Sequence, residues 1–138
     1  NTEMRDIDNT LVELIEQTAP SLLALYGVGI DTAASLLIAA GDNPDRLHTE
    51  RSWAHLCGVT PIPAGSGKTS GRVRLNRGGD RQANAALYRI VLTRMSSEPR
   101  TRAYVTRRRD EGRSTKEITR VLKRYVARET FKHLPRTA

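Results

Sequence analysis

The sequence predicts a mainly α-helical chain, and three observations carry that prediction. Apolar residues recur at three- and four-residue intervals through most of the chain, the signature of helices with one buried face. Ser, Thr, Asp or Pro repeatedly opens such a stretch and Gly or Pro closes it. Strict alternation, the mark of a half-buried strand, is confined to a short span at residues 72–75. The one long segment without helical periodicity, residues 61–79, is therefore expected to be a loop set among helices.

At 138 residues the chain is one domain's worth, long enough for a single core. We divide it into residues 1–19, the end of a linking or coiled-coil helix, and residues 20–138. The second part comprises a helix-hairpin-helix at 20–41, a loop at 59–79 and basic helices over 80–134. The sequence begins without a start methionine inside a helical pattern, as expected of a piece of a longer protein. A lone cysteine, Cys57, excludes an internal disulfide and suits a reducing cytoplasm. The longest apolar run, residues 33–40, is too short to cross a bilayer, so no membrane partner is expected.

Charge is unevenly placed. Through Gly65 there are three basic residues against nine acidic ones; from Ser66 onward there are twenty against six. Clustered Lys and Arg neutralise phosphates with release of counterions, so the second half points to a polyanion partner.

Taken in order, Met4, Ile7, Leu11, Leu14 and Thr18 form a heptad seam, equally compatible with a coiled coil and with a helix packed on this domain. Residues 20–41 match the helix-hairpin-helix pattern. Gly27 and Gly29 are expected in conformations a side chain forbids, and the start of the second helix could offer N–H groups to a phosphate or be purely structural. Thr49 is a predicted N-cap and Gly58 a C-terminal stop, with Trp53, Leu56 and Cys57 on the buried face between them. His48 and His55 have no partner at metal-ligand spacing, so no metal site is assigned. Asp80 is expected to cap a helix running through Met95, with Ala83, Leu87, Ile90, Val91 and Met95 inside and Arg77, Arg81, Arg89 and Arg94 flanking. Pro99 opens a helix that Gly112 ends. Ser114 caps the last helix, with Glu117 completing a capping box and Ile118, Val121, Leu122, Tyr125 and Val126 forming its buried stripe. Tyr88, Tyr104 and Tyr125 all fall on helices and are assigned to core packing, not to nucleophilic chemistry. Arg107 and Arg108, with Arg109, point in different directions from one helix and suit contact with a phosphate backbone better than reading one base pair.

The loop carries the candidate chemistry. Pro61 and Pro63 stiffen its entry. Gly65, Gly67 and Gly71 free the backbone around Ser66 and Ser70, and Lys68, Arg72, Arg74 and Arg77 supply cations for an anionic substrate. Its GSGKTS stretch imitates a nucleotide-binding P-loop, but that pattern needs Gly five residues before Gly67, where Ile62 stands. No His or carboxylate lies in the loop to activate a serine.

GVGIDTAASLLIAAGD, WAHLCGVTPIPAGSG, RVRLNRGGDRQANAALYRIVL and RAYVTRRRDEGRSTKEITRVLKRYVARETF together resemble the C-terminal transposase domain of the "IS-one-ten" family of insertion sequences. The resemblance runs from Leu22 to Leu134. It implies a DEDD-type, bridge-RNA-guided recombinase. In that family an N-terminal RuvC-like domain holding acidic Mg²⁺ ligands is joined through a coiled coil to this domain. A serine of the Ser-Gly motif becomes transiently linked to DNA. That serine corresponds to Ser66, with Ser70 and Thr69 as the competing hydroxyls. The family commonly has Arg where this chain has Asn84, which puts one phosphate contact in doubt. DNA, a structured guide RNA, a dimeric or tetrameric assembly and a bacterial, nucleoid-associated cytoplasmic setting follow from the resemblance, as does Mg²⁺ in the RuvC-like domain with no cofactor here. The competing reading is a non-catalytic helix-hairpin-helix module that binds DNA or RNA.

Overall fold

The computed structural model describes residues 2–60, 62–63, 73–74 and 80–135. Among these the chain is mainly helical: α1 (Thr2–Thr18), α2 (Pro20–Leu23), α3 (Ile30–Asp42), a 3-10 turn (Pro44–Arg46), α4 (Glu50–Leu56), α5 (Arg81–Ser97), α6 (Pro99–Asp110) and α7 (Thr115–Phe131). Two short strands, β1 (Ile62–Pro63) and β2 (Val73–Arg74), pair antiparallel with Ile62 opposite Arg74 and Pro63 opposite Val73.

Helix α5 is the axis of the fold and packs against α3, α6 and α7, while α4 packs on α7. Its inward residues Ala83, Leu87, Ile90 and Val91 meet Leu36 of α3 and Val126 of α7 in one core, all buried. Full burial of side chains such as Leu36, Leu87 and Ile90 contributes about 2 kcal/mol each, before the entropy of ordering is counted. Trp53 of α4 is fully buried, and its Nε1–H donates to Thr130 Oγ of α7 at 3.3 Å. Thr130 in turn donates to Ala127 O, so the polar tips in this apolar contact are satisfied.

Helix ends follow local chemistry. The Asp80 carboxylate accepts from Ala83 N–H at 2.9 Å, Ser114 Oγ accepts from Glu117 N–H, and Pro99 stands in the first turn of α6. Gly58 and Gly112 take positive φ where α4 and α6 end. Thr49 caps α4 through a reciprocal pair with Ser52. Of the expected capping box the structure shows the half in which Glu117 N–H donates to Ser114 Oγ, while the Glu117 carboxylate faces Arg113 at 3.3 Å.

Four expectations are revised. First, α1 packs only through its C-terminal end, where Ile15 is buried and Leu11 half-buried; Met4, Ile7 and Leu14 of the seam stay exposed. Second, of the hairpin glycines only Gly27 needs its freedom. It has φ +83°, and an added Cβ would lie 3.1 Å from Ile90 O; Gly29 has φ −104° with open space around it. Third, Tyr88 and Tyr125 are exposed and Tyr104 is half-buried, because each ring lies under a cation instead of inside the core. Fourth, Arg94 is not a flanking cation: it is 4% exposed. Its Nε donates to Tyr26 O at 2.8 Å and its terminal nitrogens hold both oxygens of Glu129, one at 2.5 Å. Together with the Tyr26 hydroxyl donating to Ser97 Oγ at 2.6 Å, this fastens the α2–α3 turn onto the C-terminal half of α5.

Candidate active site and basic surface

The expected catalytic loop leaves the helical body at one place. After α4, the carbonyl oxygen of Leu56 accepts from Asp80 N–H at 2.6 Å, so the chain departs and returns within one hydrogen bond. Asn84, one turn into α5, donates through Nδ2 to Cys57 O at 3.0 Å and Gly58 O at 3.4 Å. Its Oδ1 accepts from Lys123 Nζ of α7 at 3.4 Å. Further out, β1 and β2 pair across the same two arms. The segment suspected of chemistry is thus anchored at its base by α4, α5 and α7 together.

The electrostatics of this base are set by burial. Burial pushes the Cys57 thiol well above its ordinary range, and the nearby Asp80 charge adds to the effect. Cys57 is therefore a neutral packing residue and not a nucleophile. Burial also lowers the Lys123 ammonium, with Arg120 contributing repulsion. Lys123 lies 5.9 Å from the centre of the Tyr88 ring as well as beside Asn84.

Of the residues singled out from sequence, Gly65, Ser66, Gly67, Lys68, Arg72 and Arg77 lie outside the described residues, as do Thr69 and Ser70. Arg74 belongs to β2. Arg81 is exposed on the first turn of α5 beside the cap Asp80. Arg107 and Arg108 both stand over the Tyr104 ring, at 5.5 and 6.0 Å, but Arg108 is paired with Glu111 at 2.6 Å. Gly27 and Gly29 form the turn against α5, and the Gly29 N–H is already bonded to Thr32 Oγ at 3.0 Å.

Sequence reasoning missed Asn84 and Lys123 as the clamp, and Tyr104 with Arg107 and Tyr125 with Arg100 as surface pairs. Tyr104 and Arg107 are three apart on one helix and could have been read as a pair. Asn84 with Cys57, and Arg100 with Tyr125, are joined only by the fold.

Among the described residues, α5, α6 and α7 form a helical body rich in Arg and Lys, a charge suited to a polyanion. Residues 19–106 match the family described as Transposase IS116/IS110/IS902, and the chain belongs to that family. It is 30% identical over 115 residues to the insertion element IS900 uncharacterized 42 kDa protein of Mycobacterium paratuberculosis, covering 82% of this chain and 29% of the relative. It is also 30% identical over 120 residues to the insertion element IS110 uncharacterized 43.6 kDa protein of Streptomyces coelicolor, covering 86% and 29%. The chain thus spans less than a third of the length of these relatives. Among the described residues no helix is long and apolar enough to cross a membrane.

Proposed function

We propose that this chain is the catalytic C-terminal part of a DNA transposase, in which the Ser66 hydroxyl attacks a DNA phosphodiester and joins the strand covalently. The observation that carries the reading is the clamp: Asp80 to Leu56 and Asn84 to Cys57 and Gly58 hold together the two ends of the segment containing Ser66. Membership of a transposase family supports the choice of DNA as substrate.

In the proposed step the Ser66 oxygen bonds to phosphorus and one bridging P–O bond breaks. The departing deoxyribose oxygen takes a proton, while the serine proton passes to a base outside the loop. One phosphodiester is exchanged for another, so the strand can be rejoined without an external energy source. Lys68, Arg72, Arg74 and Arg77 would offset charge on the phosphoryl oxygens, with Arg81, Arg107 and Arg108 holding flanking phosphates.

Among the described residues no three His, Cys, Asp or Glu side chains group to hold a metal. The segment 61–79 has none of these residue types in its sequence. The reading assigns Mg²⁺ to a RuvC-like domain and no cofactor to this chain. DNA, a structured guide RNA, a dimer or tetramer and a bacterial, nucleoid-associated cytoplasmic setting complete the proposal.

The test is covalent trapping of DNA by the full-length protein carrying Ser66→Ala, Thr69→Ala or Ser70→Ala. Ser66→Ala is expected to abolish the covalent species and leave salt-dependent DNA binding intact. Trapping that survives Ser66→Ala sinks the assignment. Binding with no covalent species in any version, wild type included, gives the non-catalytic binding module instead.

A further inference from the structure

Helices α6 and α7 stand apart over an open cleft of about 640 Å³. Its floor is apolar, formed by Val91 of α5 and by Leu122 and Val126 of α7. Its rim carries Tyr104, Tyr125, Arg100 and Arg107. Arg100 lies 5.7 Å from the Tyr125 ring centre and donates to its hydroxyl at 3.3 Å; Arg107 covers Tyr104. Among the described residues neither arginine has a carboxylate within ion-pairing distance.

We propose that this cleft takes unpaired bases of a single-stranded nucleic acid, with the phosphates of the same strand crossing Arg100 and Arg107. The inference rests on the reading of the chain as a nucleic-acid enzyme but assigns a site that chemistry at Ser66 does not require. Phosphates are excluded from an apolar floor, whereas a flat base gains from it and from aromatic walls. The space is several times that of one base, enough for one or two nucleotides. Arg94 also lines the cleft, and its charge is paired with Glu129. Counting Arg100 and Arg107, α6 and α7 carry ten basic residues against three acidic ones, a track suited to a continuing chain of phosphates. Bases stacked inside a duplex cannot reach such a floor, so the cleft discriminates single strand from double.

The test uses the purified chain and three probes of equal charge: a single-stranded oligonucleotide, the same backbone with abasic sites, and a fully paired hairpin closed by a base-free linker. Binding is read by fluorescence anisotropy at one salt concentration. The wild type is expected to favour the base-bearing strand over the abasic one by about tenfold or more, the scale of one stacked base. Two variants remove that preference: Tyr104→Leu with Tyr125→Leu, which deletes the rings, and Ala103→Leu, which fills the cleft with an aliphatic side chain from an exposed lining position and keeps every cation. Both should bind the hairpin within twofold of wild type, with Trp53 fluorescence reporting that the core is intact. A base preference equal in wild type and variants, or absent from the wild type, overturns the inference. So does an acidic amphipathic peptide that occupies the cleft when oligonucleotides do not. Failure of the wild type to bind any of the three probes overturns the proposed function as well, whereas salt-dependent hairpin binding without base preference overturns the cleft alone.

Discussion

Replacing Arg94 with Met removes the guanidinium and keeps most of the apolar stem. Tyr26 O loses its donor, and both Glu129 oxygens lose their partner. Deleting one member of a buried ion pair costs about 3–5 kcal/mol because the remaining charge stays desolvated. Glu129 keeps 22% of its side chain in solvent, which places the expected loss at the low end, about 3 kcal/mol. With a urea m-value of about 2 kcal/mol/M, the unfolding midpoint should fall by about 1.5 M. Trp53, the only tryptophan in the sequence and fully buried, gives the fluorescence readout. Adding Glu129→Met to the variant should restore at least half of the loss, because the orphaned carboxylate is then gone. The reasoning is refuted if Arg94→Met unfolds within about 0.5 kcal/mol of wild type, or if the double variant is only the sum of its parts.

Two other predictions concern the base of the loop. Because the Cys57 thiol stays protonated in the folded state well above its ordinary 9.0, only the unfolded chain loses that proton. Stability should therefore fall above pH 9, by up to about 1.4 kcal/mol per pH unit. Lys123, lowered on folding, contributes the opposite slope below 10.5, so the measurement is the difference between wild type and Cys57→Ala at each pH, in which Lys123 cancels. A difference that does not change from pH 8 to 10 contradicts the assignment. Asn84→Leu should cost about 1–2 kcal/mol and speed hydrogen exchange at the Asp80 amide; unchanged exchange there would show that Asn84 does not hold the clamp.

What could be read from sequence was whatever neighbours in the chain determine. Asp80, Ser114, Pro99 and Gly112 act on residues within one turn of themselves, and each stands at the predicted helix end. The inward face of α5 was legible for the same reason, since its period belongs to the helix alone. Arg94 was not legible, because Arg at a helix flank reads as solvated until Glu129, on another helix, closes over it. The tyrosines erred in the other direction: aromatic residues at helical spacing read as core, but here arginines and a lysine cover them at the surface. The family resemblance was carried by motifs and holds.

The hydrogen bond from Asp80 N–H to Leu56 O lets the helices set the span of everything threaded between them. A chain whose two ends already meet pays little for length: doubling such an excursion adds only about 0.6 kcal/mol of closure entropy. Residues can therefore be added or removed beyond Val59 at little cost, whereas Cys57 and Val59 belong to the buried core and Gly58 to the anchor of Asn84.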